Sequence, residues 1–533
     1  RTTIGRDLYR LFCYHKARLQ VELQQHVING GRLSITTDTW SARNYSEYAA
    51  VTVHWINDNW QMRTTILDVI HLQEPIHSGE YLAEQIMSVT DDYNITPAIF
   101  TVTRDNASSN TTMLLEYERL ASTAPISLKQ PWAFRAKAGD VRCIGHIINI
   151  AVQAALASLK ATPDERVDAY RLEVGAARIP TGISTAAEYE IMSVLAKLRR
   201  HIYVFRNRRR WKDALKNQCR ATGIEVCQLT LDMPVRWSST YQMINIALKL
   251  QAPITALCAS QQLDIRLFLS ISQLRCSTVL QGSSYPTLNY AVPQYMRMIK
   301  KLEDIGRELP EQSPIATASL IALKKLNDYY TLATNQQQSH STIATICDPR
   351  YNFNVFNIIW KDDSMHSTRK NRARAQWQDC FYRYSGRESD IQAANVINSI
   401  EAEDEDLNTE QAINIDIDSE DELYVSQSRH DIEPEWKRWM KEPTVGRNVD
   451  ILKYWQSKQY QYPLIASIAK DHLAIPATSA DSERVFSVGG DIITKKRNRL
   501  SPSTLRYLLC LRNWGVLSQG DDEDSGDDTD NKS

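Results

Sequence analysis

Three carboxylates stand where the sequence can place chemistry. Asp38 ends a strand-like run in Thr36-Thr37-Asp38-Thr39-Trp40, and Asp105 follows another in Thr103-Arg104-Asp105-Asn106-Ala107. Carboxylates at the C-terminal ends of strands can converge in the crevice where open α/β sheets hold their ligands. Such a pair can share hard divalent cations, which take oxygen ligands and retain waters. Two metals roughly 3.5–4 Å apart can activate an attacking oxygen and stabilise the leaving oxygen of a phosphodiester. The structural alternative is that each aspartate is a strand-end turn former or helix N-cap, which Asp105 suits, ahead of Asn-Ala-Ser-Ser. Glu483 is the third candidate, in Ser479-Ala480-Asp481-Ser482-Glu483-Arg484, between apolar helical patterns and the basic cluster Lys495, Lys496, Arg497 and Arg499. Sequence periodicity cannot show whether the long helical stretch before Glu483 closes it back onto a sheet.

Other residues could serve a polyanionic substrate. The run from Lys197 to Lys212 places Leu198, Ile202 and Phe205 at helical spacing and carries Arg199, Arg206, Arg208, Arg209 and Arg210. An arginine-rich face can neutralise phosphates and makes binding salt-dependent; it also fits a nuclear-import signal or a solvated helix face. Trp237, beside Arg236, could stack on a displaced base or anchor a core. Cys143 and His146 share a helix face at half of a zinc spacing, but no second Cys/His pair completes it.

These residues need elements to hold them. Residues 1–30 have helical apolar spacing ending at Asn29-Gly30-Gly31, a helix stop. Strand patterns follow from Leu33, from Tyr48 and from Met62, with Asn57-Asp58-Asn59 as the turn of an antiparallel meander. A helix over 78–92 precedes a short strand from Ala98. This is the order of a mixed α/β sheet, and from about 141 onward the pattern is helical. Residues 386–430 contain like-charge acidic blocks and read as a disordered linker; 516–533 reads as an acidic disordered tail.

Composition narrows the class. A 533-residue chain that is 43% apolar can bury a large core across two or three domains. The 62 basic residues nearly cancel the 63 acidic ones, but the acid gathers at 401–422 and 521–530, leaving a basic body. Nine cysteines, none in a CxxC pair, support neither a disulfide framework nor a cysteine-rich zinc module, and point to a reducing compartment. No apolar run is long enough for a membrane span, so no membrane partner is expected. No signal peptide is evident, and a start at Arg1 rather than methionine leaves room for a segment upstream.

Read in order, the motifs resemble those of the hAT superfamily of DNA transposases and their relatives. Asp38-Thr39-Trp40-Ser41 resembles the first catalytic-strand motif, and Asp105-Asn106-Ala107-Ser108-Ser109-Asn110 the second. Arg142-Cys143-Ile144-Gly145-His146 resembles the family's Cys-x-x-His helix, and Pro234-Val235-Arg236-Trp237-Ser238-Ser239-Thr240-Tyr241 the start of its helical insertion. Tyr462-Pro463 to Leu511, containing Ser479 to Ser487, resembles its C-terminal dimerisation region. Val235, Ser238 and Ser109 depart from the commoner Thr, Asn and Asn, and none of them is a metal ligand.

The resemblance implies an α/β plus α architecture: an RNase H-like mixed sheet interrupted by a long, mostly helical insertion. The expected divisions are an N-terminal helical segment at 1–30, the first part of the core at 31–150, the insertion at 151–385, the linker at 386–430, and a dimerisation region completing the core at 431–515. It implies an Asp38, Asp105, Glu483 triad holding Mg²⁺ or Mn²⁺; relatives often carry a BED-type zinc finger, which is absent from this sequence, and no zinc is expected in it. It further implies DNA contacts through His146, Trp237, Arg236 and the basic clusters, including Lys495, Lys496 and Arg497. Leu464, Ile468, Leu473, Phe486, Leu505, Leu508 and Leu511 are the expected dimer surface. The expected function is cleavage and strand transfer at transposon ends, in the nucleus, by a homodimer or larger homo-oligomer. The alternative is an inactive, domesticated DNA-binding regulator.

Overall fold

A computed structural model describes residues 2–42, 46–74, 77–122, 134–159, 194–232, 239–259, 283–310, 313–336, 338–359, 366–403, 433–493 and 500–517. The chain divides into two compact units, residues 1–141, 283–286 and 377–533 forming one, and 142–282 and 287–376 the other.

The first unit is built on a five-stranded sheet. β1 (Leu33–Ser41), β2 (Glu47–Ile56) and β3 (Met62–Leu72) form the antiparallel meander, and β4 (Ile99–Arg104) and β5 (Asp140–Arg142) complete the order β3-β2-β1-β4-β5. The β2–β3 turn closes because the Asn57 side chain accepts from the N–H groups of Asn59 and Gln61. β4 pairs parallel to β1, with Thr36 opposite Thr103. That parallel step requires a crossover, supplied by α2 (Gly79–Asp92), whose start is capped by Ser78 accepting from the Tyr81 N–H at 3.2 Å.

Both faces of this sheet are covered, which explains why β2 is buried almost throughout. On one face, Ile35, Val51 and Val53 pack with Leu82 and Ile86 of α2 and with Met113 and Tyr117 of α3 (Ser109–Ala121). On the other, Tyr48, Ala50 and Val69 join Val485, Leu505 and Leu509, brought in from the far end of the sequence. The long first helix, α1 (Thr2–Ile28), contributes Phe12 to the second cluster and Leu23 to the first. The fold is the α/β plus α arrangement that the motifs imply, with a five-stranded mixed sheet and its covering helices in the first unit and helices in the second.

The second unit is helical. It opens with α4 (Ile144–Ser158), α5 (Val194–Asn207) and α6 (Arg209–Ala221), followed by α7 (Ser239–Lys249) and α8 (Gln251–Ala259). Leu198, Ile202, Phe205, Leu215, Cys219 and Met243 form its core. Further on come α9 (Ala291–Glu308), α10 (Pro314–Thr334) and α11 (His340–Cys347). No described helix of either unit is long and apolar enough to cross a membrane.

One expectation is corrected here. α12 (His366–Glu403) carries helical backbone well into the segment whose charge pattern suggests a disordered linker. The residues before the acidic block, among them Ile391, Ala393, Ala394, Val396 and Ile397, are apolar and include good helix formers. The rest of that segment, and the acidic tail from 518, lie outside the described residues. From residue 377, within α12, the chain belongs to the first unit again, and it continues through α13 (Glu435–Lys441), α14 (Ile451–Lys458), α15 (Pro463–Leu473), α16 (Ala480–Ile492) and α17 (Pro502–Asn513).

Candidate active site

Alternation along β1 decides which side chains can meet α16. Thr36, Asp38 and Trp40 share one face because successive strand residues point to opposite sides. Their cross-strand partners on β2 are Thr52, Ala50 and Tyr48. α16 lies along this face and runs in the same direction as β1. Its Ser482 hydroxyl is 2.9 Å from that of Thr36, and its Phe486 ring stacks on Trp40 with centroids 5.8 Å apart.

That alignment brings Glu483 to Asp38. Oxygens of the two carboxyl groups lie within 4.8 Å of one another, although the residues come from opposite ends of the chain. Glu483 stands in the first turn of α16, where the helix dipole favours an anion. Asp38 is half-buried, and burial pushes its carboxyl up to about 8, with Glu483 and then Asp105 adding repulsion. The Thr39 N–H, donating to Asp38 Oδ1 at 2.8 Å, acts in the opposite sense.

Asp105 is placed differently. Its Oδ1 accepts from the Ala107 N–H at 2.9 Å and from the Asn110 side chain, forming an Asx turn between β4 and α3. It is therefore a turn former, while Ser108 occupies the N-cap position of α3. Asn110, which holds Asp105, lines the same small recess as Asp38, Thr39, Gln85 and Met113. The three predicted acids thus fall into a close pair, Asp38 and Glu483, and a third within electrostatic range.

Two supporting groups escaped the sequence reading. Arg104 is fully buried and forks onto Asp140, with Nε to Oδ1 at 2.9 Å and Nη2 to Oδ2 at 2.8 Å. Its Nη1 donates to the Asp105 carbonyl at 3.0 Å, so the guanidinium clamps the base of the Asp105 turn. Behind α16 runs a polar chain. Thr36 meets Thr52, Thr52 Oγ1 is 3.0 Å from His54 Nε2, and His54 Nδ1 lies 3.1 Å from Thr64 Oγ1 and 3.9 Å from Asp481. Burial, with Arg484 nearby, holds His54 down to about 3, and burial lifts Asp481 to about 6. The threonine-rich alternation of β1 and β2 was the available signal for this network, whereas nothing local marked Asp140 as the partner of Arg104.

The predicted DNA contacts divide. Arg206, Arg208, Arg209 and Arg210 are exposed at the junction of α5 and α6, while Phe205, Leu215 and Cys219 of the same helices are buried. Arg199 is not among them. It is buried and forks onto Asp232, with Nη2 to Oδ2 at 2.6 Å, while Thr240 donates to the same carboxylate at 3.0 Å. It is an internal clamp, and its assignment to DNA is corrected. His146 is half-buried in the first turn of α4, and Cys143 is buried just ahead of that helix. Arg236, Trp237, Lys495, Lys496 and Arg497 lie outside the described residues.

The predicted dimer surface is also corrected. Leu464, Ile468, Leu473, Leu505 and Leu511 are all buried within the single chain. Phe486 and Leu508 are half-buried and pack on the same core as Leu505 and Leu509. Apolar periodicity identified a covered face; the cover comes from the same chain, and for Leu505 and Leu511 it includes strand residues of the sheet.

Comparison with known proteins agrees with this organisation. The profile of the hAT family C-terminal dimerisation region matches residues 435–515. The ZBED1 RNase-like domain matches residues 36–130, and the ZBED1 RNase-like helical domain matches 141–272. A Zea mays protein named as an AC transposase is 24% identical over 97% of this chain and 61% of its own length. A Talaromyces stipitatus protein named as the transcriptional regulator tpeD is 23% identical over 92% of this chain and 54% of its own. Zinc finger BED domain-containing protein RICESLEEPER 3 of Oryza sativa is 21% identical over 91% of this chain and 61% of its own. The chain therefore spans roughly three-fifths of the length of these relatives.

Proposed function

Because the chain belongs to the hAT superfamily of transposases and their relatives, we propose that it performs metal-dependent cleavage and strand transfer of DNA, with Asp38, Glu483 and Asp105 as its acidic centre. The observation that carries this reading is the approach of the Asp38 and Glu483 carboxyl oxygens to within 4.8 Å, at the end of a parallel strand pair.

The donor set suits a hard divalent cation, since both groups offer oxygen. Burial, with repulsion from Glu483 and Asp105, raises Asp38 to about 8, a cost that a nearby positive charge would offset. Asp38 and Glu483 would hold Mg²⁺ or Mn²⁺, with Asp105 as a third donor once released from Asn110. Such an ion lowers the pKa of an attacking water or 3′-hydroxyl and offsets charge on the phosphodiester. The chain's own part is positional. Thr39 fixes one oxygen of Asp38, the Thr36–Ser482 contact fixes the first turn of α16, and Arg104 fixes the loop that presents Asp105. Arg206, Arg208, Arg209 and Arg210 would take DNA phosphates. A DNA substrate assigns the protein to the nucleus, acting as a homo-oligomer.

A second reading is a DNA-associated regulator without cleavage. One observation favours it: Asp105 spends an oxygen on Ala107 and Asn110. A relative named as a transcriptional regulator also covers most of the chain. The deciding experiment incubates the full chain with Mn²⁺ and DNA carrying the ends of its own element. Nicking or joining by wild type, lost in Asp38→Asn and Glu483→Gln variants that still fold and bind DNA, supports the enzyme. A wild type that binds verified ends and leaves them intact supports the regulator.

A further inference from the structure

α1 carries two apolar stripes. One, including Phe12, Leu19 and Leu23, faces the protein core. The other faces solvent: Ile4 is 69% exposed, Leu11 40%, Tyr14 62%, Val21 68% and Ile28 55%. Ile4 and Leu11 are one heptad apart, as are Tyr14, Val21 and Ile28, and the two series are offset by three residues. These are the a and d positions of a heptad seam, the pattern by which one helix packs on another. Asp7 and Arg18, both exposed, occupy a d and an a position between the apolar residues.

We propose that this seam is a self-association surface on which a second copy of the chain packs its own α1 in antiparallel fashion. A two-fold axis passing between Phe12 and Cys13 would set Ile4 opposite Val21, Asp7 opposite Arg18 and Leu11 opposite Tyr14. Each a position then faces a d position, and the two seam charges neutralise each other. The alternatives lack that match. Parallel pairing sets Asp7 against Asp7 and Arg18 against Arg18. An antiparallel pair shifted by one heptad leaves Asp7 facing Gln25 and Arg18 facing Tyr14, and an uncompensated charge in a desolvated seam is costly.

The seam is continuous with the matched dimerisation region. The opposite face of α1 packs on α17, with the Phe12 ring 4.9 Å from Tyr507 and 5.3 Å from Trp514, both inside residues 435–515. With Leu464, Ile468, Leu473, Leu505 and Leu511 spent on the chain's own core, α1 offers exposed apolar surface on the same structural block. This inference does not depend on catalysis.

Sedimentation equilibrium of the full chain tests it. The expected result is a dimer whose dissociation constant rises at least roughly tenfold in Leu11→Glu, with an unchanged circular dichroism spectrum. Asp7→Arg and Arg18→Asp should each weaken association, since each sets like charges together twice across the two-fold. Mixing those two variants, or combining both changes in one chain, should restore it. A wild type that stays monomeric at micromolar concentration, as it would if a segment upstream of α1 covered the seam, overturns the proposal. So does a dimer indifferent to Leu11→Glu, or one that neither charge change weakens.

Discussion

Gly489 of α16 packs so closely on the indole of Trp40 in β1 that a β-carbon at Gly489 would sit 2.8 Å from the ring's Cη2 and Cζ3. This approach sets the depth at which α16 rests on the sheet. Six residues back along the helix, about 9 Å at the rise of an α-helix, stands Glu483. Two residues back along the strand, about 7 Å, stands Asp38. Strand and helix run together, so the bulky contact at Trp40 and the polar one between Thr36 and Ser482 bracket the carboxyl pair.

Gly489→Ala therefore tests the seating. Alanine is the better helix former by about 1 kcal/mol, but forcing its methyl against the indole should cost about 1–3 kcal/mol. The expected net is destabilisation in urea unfolding, accompanied by weaker Mn²⁺ binding. Adding Trp40→Phe, which removes the crowding ring, should recover part of both. Additive losses in that cycle would show that the two residues do not act together.

Asp38 supplies a pH signature of the metal-free chain. Its carboxyl is raised from 3.8 to about 8, so the native protein keeps a proton that the unfolded chain releases. The sign follows from linkage: this group's contribution falls as pH rises from about 4 to about 8, by at most about 1.4 kcal/mol per unit. Asp38→Asn should be more stable than wild type at pH 8 and lose this slope. A bound divalent cation must displace that proton, so Mn²⁺ affinity should climb by up to roughly tenfold per unit between about pH 6 and 8. Parallel pH–stability curves for wild type and Asp38→Asn would refute the assignment.

Asp140→Ala examines the clamp beneath Asp105. It would leave the fully buried Arg104 without its carboxylate, a change that costs about 3–5 kcal/mol in buried pairs. Arg104 also holds the Asp105 carbonyl, so hydrogen exchange at the Ala107 amide should quicken more than exchange within α2. Uniform quickening across the first unit would mean that the clamp stabilises the fold without a special hold on this turn.

The meander, α2 and β4 were legible because their signals are local: strand patterns, an Asn-Asp-Asn turn and a helical stretch before a short apolar run. The Asp38–Glu483 pair was legible only through resemblance, since the contact depends on how α16 seats on β1. Gly489-Gly490 stands inside a helical pattern, and nothing in that pattern marks the ring that packs on Gly489. The leucines of α15 and α17 illustrate the same limit. Periodicity shows that a face is covered, yet Ile468 and Leu511 are covered by their own chain, while the exposed seam lies on α1.

Arg199 and its neighbours give the clearest separation of structural from electrostatic roles. On sequence, Arg199, Arg206, Arg208, Arg209 and Arg210 are one basic run; in the structure, Arg199 turns inward to Asp232, while the other four remain in solvent. Asp232 is fully buried, so Arg199→Ala removes its counter-charge and leaves a buried carboxylate held by Thr240, which should cost about 3 kcal/mol or more in unfolding. If the folded variant binds DNA, its salt dependence should match wild type. Replacing the four exposed arginines with glutamine should leave stability within about 0.5 kcal/mol. Each arginine that contacts a duplex phosphate adds about 0.9 to the slope of log affinity against log salt. The quadruple variant should therefore lower that slope by as much as about 3 to 4 and weaken all sequences alike, as phosphate contacts do. Fluorescence anisotropy across a salt series reads both outcomes. An unchanged slope in the quadruple variant would remove this surface from the DNA path, and a reduced slope in Arg199→Ala would return Arg199 to it.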